Sequence, residues 1–182
     1  YFMYVLTPVS LIKLEEIEND HTIQPKKINN FAKVFSRGDI AISQVNNVGI
    51  GISMSSSRIG KYESINGENM EGWYSGDGMV YIYLNVNDYA SNYWQNVNFY
   101  RLQGTTVTNA KRVEKGFSGE NSLAKYDFVG GVYSNLNMVA AMTFGSESPK
   151  IGFYSTLVGN KSYFVFEGKL ICLGSNINSE DD

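Results

Sequence analysis

Residues 40–53 read IAISQVNNVGIGIS, and this stretch decides the fold class. Ile40, Ile42 and Gln44 alternate with Ala41 and Ser43. A period of two marks a strand with one buried face. Asn46 and Asn47 follow, a pair that tolerates the positive φ of a two-residue hairpin turn. Val48, Ile50 and Ile52 then alternate with Gly49, Gly51 and Ser53 as the return strand. Residues 79–84 (MVYIYL) predict another strand, with Tyr81 and Tyr83 on one face and Val80, Ile82 and Leu84 on the other. Residues 128–133 and 138–144 flank 134–137 as a second hairpin, and 162–166 and 169–173 flank Glu167 and Gly168 as a third. Past Asp39 no window holds a 3.6-residue apolar period, and no repeat of 20–50 residues is present. The expected class is all-β, an antiparallel β-sandwich with long loops.

Composition points the same way. The 182 residues include 13 Tyr, 10 Phe and 18 Gly but only 3 Pro, which favours pleated surfaces joined by tight turns. Aromatics with abundant Asn also suit a sugar-holding surface, although a sandwich core uses the same aromatics. A net charge of −3 offers no basic stripe for phosphates, so nucleic acid is excluded as a partner. No run of about 18 apolar residues exists to span a membrane. The single Cys172 makes no internal disulfide or cysteine zinc site, and one His leaves little for an imidazole-rich metal site.

The ends read as connection. Residues 1–12 are apolar but lack the basic start and small-residue cleavage site of a signal peptide. Residues 11–20 predict a short amphipathic helix or a linker, and 21–30, with Pro25, a connecting stretch. Residues 176–182 are polar and acidic without a strand signal. The expected division is 1–30 as linker or remnant of a preceding domain and 31–182 as one β-sandwich domain. Such text reads as a piece excised from something longer.

Residues 57–79 (SRIGKYESINGENMEGWYSGDGM) are the densest polar segment and lie between two strands. A loop this long inside a domain is functional or disordered, and Trp73 and Tyr74 argue against disorder. An ion pair of Arg58 with Glu63 or Glu68 would brace it. Asn66 and Asn69 offer donors and acceptors without charge, fit for hydroxyls or for a carboxylate whose charge is to be quieted. Glu63, Glu68, Glu71 and Asp77 also admit a glycosidase pair or a calcium site, neither fixed by spacing alone. The glycines follow no strand–helix phosphate pattern, no G-x-S-x-G elbow occurs, and His21 falls in linker text.

Taken together, Ser57-Arg58, Tyr62-Glu63-x-x-Asn66-x-Glu68-Asn69 and Gly72-Trp73-Tyr74-x-Gly76-Asp77-Gly78-Met79 resemble the central β domain of the family 8 polysaccharide lyases: hyaluronate, chondroitin AC and xanthan lyases of bacteria. The resemblance continues through Tyr93-Trp94, Asn98-x-Tyr100, Gly104-Thr105-Thr106 and Leu173-Gly174-Ser175-Asn176-Ile177. The last two stretches resemble the hyaluronate lyase type most.

That resemblance implies a supersandwich of the galactose-mutarotase-like kind, here a fragment of the full domain, preceded in the whole enzyme by an α-helical toroid. It implies a secreted, extracellular or cell-surface enzyme that cleaves uronate-containing acidic polysaccharide by β-elimination to unsaturated oligosaccharides, with no cofactor. The chemistry needs a group to neutralise the uronate carboxylate, a base and a proton donor. In the family these sit on the helical domain, so no catalytic residue is assigned in this chain. What carries over is a cleft wall. Asn66 is the first candidate for contact with substrate or with the catalytic groups, and Glu63 supports it by pairing with an Arg of the helical domain. Arg58, Glu68 and Asn69 are further candidates. Trp73 and Tyr74 are read as either sugar-stacking wall or core. No metal site is assigned. The alternative is a non-catalytic carbohydrate-binding or structural sandwich, and a weaker one a glycoside hydrolase using Glu63 and Glu68.

Overall fold

The computed structural model describes residues 7–22, 30–90, 92–112, 123–147 and 153–181. Expectations for residues 1–6, 23–29 and 182 lie outside the described residues. Among the described residues, eight strands form two antiparallel sheets of four. The first holds β1 (Phe31–Phe35), β2 (Ile40–Val45), β3 (Val48–Ser53) and β4 (Met79–Tyr83) in that order, and the second β5 (Val129–Ser134), β6 (Asn137–Gly145), β7 (Val158–Phe166) and β8 (Lys169–Asn178). The chain is an all-β sandwich.

The hairpin at residues 40–53 forms as its pattern dictates. Ile42 faces Gly51 and Val45 faces Val48 across the turn, where Asn46 and Asn47 have φ of 50° and 65°. Among the described residues, six of the eight non-glycine positions at positive φ are Asn. The Asn richness therefore serves turns, since a short polar side chain tolerates the left-handed region.

Three expectations need correction. First, β1 precedes the stretch where strand text was expected to begin. Its inward residues, Ala32 and Val34, are small, and Lys33 breaks the apolar reading, yet both are buried once β1 pairs with β2. Second, β8 runs on to Asn178, through residues expected to lack strand structure. Val158 pairs with Asn178 and Asn160 with Ser175, so β8 carries an extra residue there, with Asn176 at φ 51°. The bulge and its polar residues hide the strand. Third, residues 8–19 form helix α1 (Pro8–Asn19), capped by Thr7 with Pro8 in the first turn, but it is not amphipathic. Val9, Leu11, Ile12, Leu14 and Ile17 are all exposed and are spread around its circumference.

The main core lies between the sheets. Ile50, Ile52 and Val80 from one sheet meet Met138, Met142, Phe144, Tyr163 and Val165 from the other. A second cluster joins Tyr62, Trp73, Tyr74, Met79 and Leu102 with the partly buried Tyr81, Tyr93, Phe99 and Tyr100. Because faces alternate along β4, Val80 serves the first cluster and Met79 and Tyr81 the second. The second cluster therefore sits on the outer face of the first sheet and carries the long loop.

Candidate functional site

The loop from β3 to β4 is fixed at both ends by buried charge. The Lys61 ammonium lies 2.9 Å from one Asp77 carboxylate oxygen and 3.2 Å from the other, with neither side chain more than 1% exposed. Lys61 also donates to the Gly145 carbonyl at 2.7 Å, and Ser55 donates to Asp77 at 3.4 Å. From β7, Lys161 donates to the carbonyls of Asp77 at 3.0 Å and Gly104 at 2.7 Å, and Tyr163 donates to that of Gly78 at 3.1 Å. Burial lowers the Lys161 pKa to about 8 and raises that of Tyr163. These bonds tie the second sheet to the foot of the loop. Gly76 and Gly78 fit tightly there, since a Cβ on Gly76 would lie 2.5 Å from the Lys61 carbonyl oxygen.

Arg58 does not pair with Glu63 or Glu68, contrary to expectation. It donates to Asp39 in the β1–β2 turn at 3.2 Å, to the Asp127 carbonyl at 2.7 Å, and to the Asp127 carboxylate. The bridge between Ser56 and Ile59 turns the chain so that Arg58 faces those two carboxylates. Asp39 is wholly buried at φ 51°, which makes Arg58 a brace between loop and turn.

Residues 63–69 form the exposed tip. Asn69 donates its amide to the Glu63 carbonyl at 2.7 Å, Ser64 its hydroxyl to the Glu68 carbonyl at 2.6 Å, and the Glu68 N–H bonds the Ile65 carbonyl at 2.9 Å. Asn66 and Gly67 make a tight turn at φ of 55° and 79°. The side chains of Glu63, Asn66 and Glu68 point into solvent. Among the described residues, nothing holds the Asn66 amide. Asn69 instead is the staple that closes the tip. The structure thus brings Glu63, Asn66, Glu68 and Asn69 together and sets Arg58 apart.

Trp73 and Tyr74 are 2% and 0% exposed, in a short 3₁₀ turn, and belong to the second core. Their rings lie 5.1 and 6.3 Å from that of Tyr100. Burial pushes the Tyr74 pKa up to about 12. Beside this cluster, Gly49 and Gly51 floor an open trough of about 460 Å³, walled by Ile40 and Ile42 on one side and Tyr81 and Tyr83 on the other. It has no charged residue in its lining.

Sequence reasoning missed Lys61, Lys161, Arg112 and Tyr163. Lys161 left a signal: it occupies the inward parity of β7, between Gly159 and Tyr163, where only a paired cation can stand. Among the described residues, no three His, Cys, Asp or Glu side chains cluster closely enough to hold a metal ion. No described helix is long and apolar enough to cross a membrane. The tip can offer neutral hydrogen bonds through Asn66 and two carboxylates to a partner cation.

The super-sandwich domain of polysaccharide lyase family 8 matches residues 30–182, which take in both sheets and the whole loop. The chain belongs to polysaccharide lyase family 8. Within the family it is 30% identical over 173 residues to a Staphylococcus aureus hyaluronate lyase, covering 93% of this chain and 20% of that enzyme. It is 33% identical over 165 residues to a xanthan lyase of Bacillus sp. strain GL1, covering 90% and 16%. The solved chondroitin AC lyase of Streptomyces coelicolor A3 superposes with a TM-score of 0.83 at 28% identity, over 96% of this chain and 23% of that one. The chain spans between 12% and 22% of the length of the curated family 8 relatives it matches first.

Proposed function

We propose that this chain is the sandwich part of a secreted lyase that cleaves hyaluronan or chondroitin by β-elimination, with residues 63–69 forming one wall of the cleft. The observation that carries this reading is the family match over residues 30–182, together with relatives named for hyaluronan and chondroitin. Asn66 faces the substrate or the catalytic groups, and Glu63 receives an Arg from a helical domain that precedes the sandwich. The base, the proton donor and the main carboxylate-neutralising group belong to that domain, to which residues 1–30 connect. Charge supports this division of labour. A polyanion seeks a basic cleft, whereas this chain carries −3, its trough is uncharged, and its tip presents Glu63 and Glu68. The positive side of the cleft must come from the partner domain.

Ultraviolet absorbance tests the proposal, because elimination leaves a conjugated double bond and hydrolysis does not. The full-length protein on hyaluronan or chondroitin should raise absorbance, and these 182 residues alone should not. New reducing ends without absorbance would favour a hydrolase. Saccharide binding without cleavage by the full-length protein would favour a binding module.

A further inference from the structure

Away from the tip, Arg112 is 4% exposed and lies beneath the second core. Its guanidinium sits 3.8 Å from the Phe153 ring centroid and 5.0 Å from that of Tyr74, so its faces are covered by aromatics. One terminal nitrogen donates to the Ser146 carbonyl at 3.0 Å. Among the described residues, its Nε and Nη2 have no hydrogen-bond partner, and neither do the buried hydroxyls of Tyr62, Tyr74 and Ser146. Buried donors are almost always satisfied, and a guanidinium only gives. The guanidinium touches the Tyr74 ring and the Ser146 carbonyl, and Tyr62 packs in the same aromatic cluster as Tyr74, so these groups are neighbours.

The charge count is also unbalanced. Among the described residues, Lys61, Lys161 and Arg112 are each at most 5% exposed, and the carboxylate acting among them is the fully buried Asp77. Asp77 is already paired with Lys61, while the other buried carboxylate among the described residues, Asp39, is paired with Arg58. A water would meet the hydroxyls but would leave the excess charge unanswered. Unpaired buried charge costs several kilocalories, so an occupant with negative charge is strongly favoured. It must be small, because every one of these atoms is shut off from solvent.

We propose that the Arg112 cluster is a binding site for a small inorganic anion of halide size, which stabilises the base of the loop. The site lies apart from the cleft wall and goes beyond the lyase reading.

Thermal unfolding of the full chain in sodium chloride, bromide or gluconate at equal ionic strength tests it. Chloride and bromide should raise Tm saturably by about 4 °C over gluconate, which is too large to enter. Arg112→Gln should abolish the difference between the salts. Should that variant not fold, a wild-type crystal grown in bromide decides the matter, with anomalous density expected within hydrogen-bond reach of Arg112 Nη2. Equal melting in all three salts, an anion response that survives Arg112→Gln, or no bromide at Arg112 would overturn the assignment.

Discussion

At Lys61 and Asp77 the long loop is tied down by an ion pair shut away from water, whereas at residues 63–69 the same loop holds three polar side chains out in solvent. The foot is charged, buried and bonded to both sheets. The tip is closed only by its own short bonds, above all that of Asn69 to the Glu63 carbonyl. The side chains proposed to meet a partner stand on the tip, and the interactions that fix its position are at the foot. Stability and function should therefore respond to different substitutions only a few residues apart.

The largest effect should come from the foot. Asp77→Ala leaves Lys61 buried without a counter-charge and should cost about 3–5 kcal/mol in urea unfolding. A cost below about 1 kcal/mol would mean that the foot does not hold the loop. Trp73→Ala should cost roughly 3–4 kcal/mol through the cavity it leaves beside Tyr100, with any effect on saccharide affinity following only from misfolding. If that variant melts normally but binds sugar more weakly, the ring belongs to the wall instead.

Alkaline titration probes the foot more gently. Burial holds the Lys161 pKa near 8 in the fold against 10.5 in the unfolded chain, so the charged form opposes folding at neutral pH. Between those values the unfolded chain binds more protons, and stability should rise with pH from about 8. Above about 10 the sign reverses, because Tyr74 keeps its proton up to about 12 in the fold while unfolded Tyr loses it near 10. Stability should thus peak in between, by on the order of 2 kcal/mol over neutral pH, and Lys161→Met should remove the rise. A flat profile in the wild type would contradict the Lys161 assignment.

The smallest stability effects belong to the tip. Asn69→Ala should cost about 1 kcal/mol through the lost staple, and slightly more from placing Ala at φ 52°. Asn66→Gly removes the amide yet suits φ 55°, so the fold should change by less than about 0.5 kcal/mol. In the full-length enzyme its turnover should nonetheless fall at least about tenfold, an amount of the order of one lost hydrogen bond in the transition state. Unchanged turnover would remove Asn66 from the cleft.

The hairpins were legible in the sequence because alternation and Asn or Gly turns are local signals. The strand β1 was not, because Ala32 and Lys33 only make sense once β2 lies beside them. β8 was hidden in the same way by a bulge that depends on its partner's register. At the site, residue types were readable but pairings were not. Arg58 is close in sequence to Glu63, yet its carboxylates come from residues 39 and 127. Lys161 reaches Asp77 across 84 positions, a contact that only the closing of two sheets creates.

The staple at Asn69 has a consequence for how such enzymes diversify. Because residues 63–69 close on themselves above a fixed foot, they should transplant as a unit. A tip taken from a relative with another polysaccharide preference brings its own shape, and the host sandwich need only supply the two ends. On the proposed reading of residues 63–69 as a cleft wall, preference should then shift by a short transplant, with the sheets, the core and the folding of the domain left as they were.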